Sequence, residues 1–285
     1  MTILLTGSSG GIGTSLRASL PALGWRLRCL DRVPAEPAEG SATSAAPSDS
    51  DEIVADLSDL AALDRAMAGV DAVVHLAGQP TEAPWPVVRD SNIEGTYQLF
   101  EAARRAGVSR IVYASSNHAV GFTPHGTAEL PADTPARPDT LYGVSKVFGE
   151  ALSRYYVERY GMRVACLRIG TFAEEPPDDR ALATWLSPGD CARLVDACLR
   201  SENLTFAQVW GVSNNTRRWW SLAAGEALGY YPVDDASEHR NDPGSAGEVD
   251  AFVGGGFTDS SFGIDEILTA ARSVQNAARA TEQGS

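Results

Sequence analysis

Short apolar runs alternate with amphipathic helical patterns along this chain, and that rhythm constrains the fold more than any other feature. The runs are "TILLT", "LRCLD", "EIVAD", "DAVVHLAG", "RIVYASS" and "MRVACLRIG". Their apolar residues sit at consecutive positions, so both faces of each strand are buried, as happens in a parallel sheet covered by helices. The expected class is α/β, a doubly wound parallel sheet with right-handed crossovers.

The first run leads directly into "GSSGGIGTSL", where Gly7, Gly10 and Gly13 stand at GxxGxxG spacing around Gly11 and Ile12. Glycines at a strand-to-helix turn allow backbone to approach a pyrophosphate, which the helix N-terminus then stabilises. Taken alone the motif also suits a purely structural turn. The residues after it favour a nucleotide and a Rossmann-type sheet. Asp31 ends the second run where an acidic side chain binds ribose hydroxyls and repels a 2′-phosphate, which favours NAD over NADP; the adjacent Arg32 softens that preference. Asp56 with Leu57, and Leu76, Ala77 and Gly78 of "HLAG", follow the next two runs on the same sheet edge, where ligands of such sheets bind.

Positive charge in this chain is almost all arginine. Of 23 Lys and Arg residues, Lys146 is the single lysine. Tyr142 precedes it by four residues, so a helix stacks the two on one face. An ammonium near a phenol favours phenolate and makes a general base usable near neutrality. Ser116, at the end of "RIVYASS", is placed to hydrogen-bond a substrate hydroxyl beside Tyr142, with Asn117 and His118 orienting further hydroxyls. Arg180 lies in "PPDDRALATWL"; it reads either as a solvated charge or as the clamp for a carboxylate or phosphate. The His and Cys residues show no metal-ligand spacing, so no metal is expected.

The formal net charge of -14 argues against nucleic acid or an anionic membrane as partner. No segment approaches a membrane span, and the chain opens on a strand rather than a signal peptide. Cys29, Cys166, Cys191 and Cys198 form no CxxC pair and read as reduced core thiols, so a cytoplasmic location is expected. Residues 1–170 are assigned to a nucleotide-binding domain that includes the Tyr-Lys helix, and 171–263 to a small substrate lobe with elements returning to the core. Residues 264–285 read as a C-terminal helix or disordered tail, and 35–50 as a long mobile loop. "SPGDCARLVDACLR" starts a helix with Ser187 as N-cap, "AQVWGVSNN" reads as a strand and "RRWWSLAAGEALGY" as a helix. Oligomeric state, including a homo-oligomer, is left open.

The glycine turn, Asp31, Asp56, "HLAG", Asn92 in "SNIEGT", Ser116, and Tyr142 with Lys146 resemble, in order and type, an extended short-chain dehydrogenase/reductase. More narrowly, "ASSNHAVG", "RPDTLYGVSKVFGE", "LRIG", "TWLSPGD" and "VWGVSNN" resemble the uronate dehydrogenases. That resemblance implies oxidation of the C1 hydroxyl of galacturonate or glucuronate to an aldarolactone with NAD. It also implies Tyr142 as base, Lys146 on the nicotinamide ribose, and Asn92 among the cofactor-binding residues. Ser116, Asn117, His118 and Thr171 would meet the sugar, with Arg180 on its carboxylate. Pro80 and Thr171 stand where the uronate enzymes tend to have serine, and "EAPW" at 82–85 is similar to a related branch of NAD-dependent glucose 6-phosphate dehydrogenases. A sugar-phosphate dehydrogenase and a non-catalytic dinucleotide sensor are the alternatives; a sensor typically lacks the Tyr or the Lys, and both are present.

Overall fold

The computed structural model describes residues 1–34, 52–126, 128–239 and 251–259. The loop expected at 35–50 and the tail at 264–285 lie outside the described residues. Among the described residues, seven strands form one sheet: β1 (Thr2–Thr6), β2 (Arg26–Asp31), β3 (Glu52–Val54), β4 (Ala72–His75), β5 (Arg110–Ser116), β6 (Arg163–Ile169) and β9 (Phe206–Gly211). Their order is β3-β2-β1-β4-β5-β6-β9, and every neighbouring pair is parallel. Strand order reverses between β1 and β4, and such a switch point opens a crevice at the strands' carboxyl ends.

The unbroken apolar runs follow from burial on both faces. On β1, Ile3 and Leu5 pack in one layer with Leu16 of α1 (Gly11–Ser19) and Leu194 of α7 (Pro188–Arg200). Leu4 between them points the other way, into a layer with Leu63 of α2 (Leu60–Met67), Phe100 of α4 (Gly95–Ala106) and Tyr156 of α5 (Leu141–Tyr160). Helix α4 is entered through the short α3 (Trp85–Val88) and a π-helical turn at Arg89–Glu94. Ser187 caps α7 as expected: its Oγ accepts the Asp190 amide at 2.9 Å, with Pro188 in the first turn. The four cysteines are buried free thiols.

Beyond β6 the chain forms a small parallel pair, β7 (Thr171–Phe172) and β8 (Trp185–Leu186), joined through α6 (Ala181–Thr184). It then returns through α7 to add β9 as the edge strand of the main sheet. The helix expected at 217–230 is reduced to α8 (Ala223–Glu226). Tertiary pairing overrides the helical pattern there. Leu130 N–H donates to the Trp219 carbonyl at 2.8 Å, the Ser221 amide donates to the Leu130 carbonyl at 2.9 Å, and Trp220 stacks on Trp210 at 4.3 Å. A helix would withdraw those backbone groups and turn a fully buried indole toward solvent. No helix of the described residues is long and apolar enough to cross a membrane.

Candidate active site

A cavity of about 690 Å³ runs along the carboxyl ends of β2, β1, β4, β5 and β6, and the sequence motifs line it from end to end. At its centre the turn between β1 and α1 brings backbone to the surface. Gly7 adopts φ +71°, and a Cβ there would stand 2.6 Å from the Ala77 nitrogen. A Cβ on Gly13 would fall 2.1 Å from the Gly7 carbonyl oxygen. Glycine is required at both positions, one for the turn and one for close packing of helix on strand. Gly10 caps α1 without a side-chain hydrogen bond, so the first amides of that helix face the cavity together with Gly11 and Ile12. These groups form a concave, electropositive cradle.

Asp31, Arg32 and Val33 form one end of the cavity with Asp56 and Leu57. The Ser9 amide donates to Asp31 Oδ2 at 2.9 Å, which joins the end of β2 to the glycine turn. Hydrogen bonds from the Ser58 amide and hydroxyl hold the Asp56 carboxyl below the usual range, and the Arg32 charge adds to this. Leu76, Ala77 and Gly78 continue the wall past β4.

Tyr142, Lys146, Ser116, Asn117 and His118 converge at the other end. Thr140 caps α5, accepting the Gly143 amide at 2.9 Å, so that Tyr142 and Lys146 fall one turn apart on the buried face. Lys146 Nζ donates to the Ala114 carbonyl at 2.8 Å and lies 5.3 Å from the centre of the Tyr142 ring and 5.4 Å from that of Tyr113. Burial lowers the Lys146 pKa to about 8. The expectation that this ammonium depresses the phenol's pKa needs correction. Burial pushes Tyr142 up to about 12, against a hydrogen bond with Ser116 that favours the phenolate; Asp139 adds to the upward shift. Nζ stands over the ring face and is turned to a carbonyl, so desolvation of the phenolate is the larger effect.

Three expected site residues stand behind the wall rather than in it. Asn92 is buried in the π-helical turn; its Oδ1 accepts the Gln79 amide at 2.6 Å, and its Nδ2 donates to the Gln79 carbonyl and to Ser145 Oγ, each at 3.0 Å. The extra residue of the π turn thus directs an amide that ties the loop after β4 to the helix bearing Tyr142 and Lys146. Thr171 Oγ1 meets Thr184 Oγ1 at 2.8 Å. Arg180 donates to the Val253 carbonyl and lies over Trp219, and with the Asn117 amide in its satisfied orientation its Nη2 donates to Asn117 Oδ1 at 3.2 Å. Arg180 therefore touches the cavity through Asn117.

Several lining residues escaped the sequence reading. Gln79 and Thr81 flank Pro80 after β4, Phe172 comes from β7, and Phe257 arrives from the 251–259 segment. Glu82 Oε2 accepts the backbone amide of Tyr142 itself at 2.8 Å. Asp139 Oδ2 lies 2.8 Å from His118 Nδ1. Tyr142 follows Glu82 by 60 positions, and no local pattern marks such a pairing.

The model of the NAD dependent epimerase/dehydratase family matches residues 3–188. The uronate dehydrogenase of Agrobacterium fabrum is 39% identical over 267 residues, 90% of this chain and 97% of that protein. The NAD-dependent glucose-6-phosphate dehydrogenase of Haloferax volcanii is 39% identical over 253 residues, 83% of this chain and 94% of that protein. A crystal structure of uronate dehydrogenase from Agrobacterium tumefaciens, a tyrosine-to-alanine mutant complexed with NAD, superposes with a TM-score of 0.78 at 39% identity, covering 90% of this chain and 97% of that one.

Proposed function

The chain belongs to the NAD dependent epimerase/dehydratase family, and from that premise we propose that it oxidises the C1 hydroxyl of a hexuronic acid, galacturonate or glucuronate, to the aldarolactone with NAD. The observation that carries this reading is the meeting of the Tyr142 phenol, the Ser116 hydroxyl and the Lys146 ammonium at one end of a nucleotide-sized cavity. The cavity suits the dinucleotide. A glycine turn packed too tightly to admit a Cβ at Gly7 or Gly13 brings backbone to its centre, and an acidic ribose partner stands at the far end.

Gly7, Gly10, Gly11, Ile12 and Gly13 would hold the pyrophosphate, Asp31 the adenosine ribose, and Asp56 with Leu57 the adenine side. Leu76, Ala77 and Gly78 would line the middle, with Asn92 holding that loop in place from behind. Bound there, NAD supplies the acceptor for the hydrogen on C1. Tyr142 as phenolate takes the proton of the C1 hydroxyl while Ser116 orients that hydroxyl, and Lys146 fixes the ribose and stabilises the phenolate once the site is filled. Removing the proton and the C1 hydrogen from a cyclic hemiacetal leaves the C1 carbonyl of a lactone. Asn117 and His118 meet the ring hydroxyls. Arg180, which reaches the cavity through Asn117, serves the carboxylate, and Thr171 supports it through Thr184. Phe172 and Phe257 line the end where the sugar sits, and their apolar faces limit water there.

Residues 1–170 would then serve the cofactor and residues 171–263 the substrate. The buried free thiols suit a reducing cytoplasm. A second reading, oxidation of glucose 6-phosphate, draws on the Haloferax volcanii relative and on Glu82, the first residue of "EAPW", which holds the Tyr142 amide. NADH formation at about 340 nm, with galacturonate, glucuronate, glucose 6-phosphate and glucose each offered with NAD and with NADP, decides between them. Turnover of uronates with NAD is expected; preference for the phosphorylated sugar overturns the substrate assignment, and silence with every pair overturns the enzyme.

A further inference from the structure

His118 carries an unusually well-built partner. Asp139 has no exposed side-chain surface, and its Oδ2 lies 2.8 Å from His118 Nδ1 while Oδ1 accepts the Thr140 hydroxyl at 3.1 Å. Three glycines from three segments make room for that carboxylate. A Cβ on Gly121 or Gly254 would stand 1.9 Å from Asp139 Oδ2, and one on Gly143 would stand 3.2 Å from Oδ1. The His118 ring lines the cavity between Tyr142, edge-on at 6.0 Å, and Phe257 at 4.5 Å.

We propose that Asp139 is a positioning residue that locks His118 as the Nδ1–H tautomer, so that Nε2 faces the cavity as a hydrogen-bond acceptor for a sugar hydroxyl. A carboxylate only accepts, so the nitrogen beside it must carry the proton. The other nitrogen of the neutral ring is then left with a lone pair. His118 thereby recognises a donor, a hydroxyl, and discriminates against substrates whose corresponding position is deoxy or O-methylated. The packing of Gly121, Gly143 and Gly254 prevents Asp139 from turning away, and Phe257 with Tyr142 fixes the ring plane. This assignment rests on the sugar-acid reading for the ligand, but the tautomer itself is a property of the free protein.

The test has two arms. Long-range proton-nitrogen correlation spectra of the full-length protein near pH 8 distinguish the two tautomers, and with four histidines in the chain the His118 signals are identified by their loss in His118→Asn. The Nδ1–H form is expected in the wild type and is lost or mixed in Asp139→Ala, which removes the acceptor; an asparagine would keep an amide oxygen there. An Nε2–H wild type, or a tautomer unchanged in Asp139→Ala, overturns the proposal. For the kinetic arm, Asp139→Ala is expected to raise the KM for galacturonate about tenfold or more, because the His118 N–H loses its buried acceptor. The same change in a His118→Asn background is expected to add nothing. Additive effects in that cycle would show Asp139 acting through packing alone. Should no uronate be turned over, the substrate reading fails while the spectra still decide the tautomer.

Discussion

At the scale of single residues, Lys146 is singular both in the sequence and in its surroundings. It is buried among two phenol rings and a backbone carbonyl, a space for a compact ammonium on a slim stem and not for a planar guanidinium. Lys146→Arg is expected to lower kcat about a hundredfold or more, and Tyr142→Phe by about as much, the usual range for loss of a general base. Steady-state kinetics at saturating NAD measure both. Burial holds Tyr142 at about 12 and Lys146 at about 8 in the free protein. Phenolate therefore increases as pH rises, so kcat/KM should climb between about pH 6 and 8 and lose slope above about 8, where the ammonium sheds its proton. A flat profile would argue against the phenolate. His75 gives a separate pH signature. Burial first, and then the Lys146 charge, lower its pKa from 6.5 to about 3, while Nδ1 bonds Thr6 Oγ1 at 2.8 Å. Between these values the unfolded chain binds a proton that the native one does not. Stability contributed by His75 is therefore complete above pH 6.5 and lost on acidification, at up to about 1.4 kcal/mol per pH unit. The gap in unfolding free energy between wild type and His75→Asn, followed by urea titration, should narrow from pH 7 to about 4.

At the scale of elements, the decisive joint is the turn from β1 into α1. Gly13→Ala places a methyl 2.1 Å from the Gly7 carbonyl oxygen, so the helix must move away from the strand or the turn must open. Either shift spoils the amide cradle at the helix N-terminus. The expected result is a KM for NAD raised about tenfold or more, with a smaller loss of thermal stability, measured by cofactor titration and by the melting curve. Gly11→Ala, at a residue also assigned to the pyrophosphate, is the comparison for stability alone, because nothing lies within 4 Å of its added Cβ and the helix need not move. A melting point lowered equally at both positions would place the loss of stability outside the close approach of helix and strand.

At the scale of the whole molecule, one buried network joins three of the sheet's seven strands to the helix that carries the site. Arg168 on β6 grips Glu150 on α5 with two hydrogen bonds of 2.8 and 2.7 Å and donates to the carbonyls of Ala132 and Thr134. Glu150 also accepts from Ser115 on β5 at 2.6 Å and from Gln208 on β9 at 2.7 Å. Glu150 lies one turn beyond Lys146, so the network fixes the depth at which α5 presents Tyr142 and Lys146. Arg168→Met leaves a buried carboxylate without its cation and is expected to destabilise by about 3–5 kcal/mol. Arg168→Met combined with Glu150→Leu should recover much of that, since the uncompensated charge is gone. Urea unfolding of the single and double variants checks both, and a double variant no more stable than the single would show that the loss is packing rather than charge.

Most of the sheet, the glycine turn, Asp31 and the Tyr142–Lys146 pair were legible in the sequence, because each obeys a short-range rule. Strands buried on both faces need unbroken apolar runs, a turn at positive φ needs glycine, and a helix stacks residues four apart. The helix expected at 217–230 failed because Trp220 finds Trp210 and the backbone finds Leu130, partners that no local pattern encodes. The same limit governs the site. Asp139 on His118, Glu82 on the Tyr142 amide, Phe257 in the wall, and the withdrawal of Asn92, Thr171 and Arg180 behind it all depend on segments brought together only by the fold. Sequence determined which chemistry the chain carries, since residue types and short spacings set it. Tertiary structure decided which groups share a desolvated end of the cavity, and hence that burial outweighs the lysine's charge at Tyr142, because desolvation and distant hydrogen bonds act across space rather than along the chain.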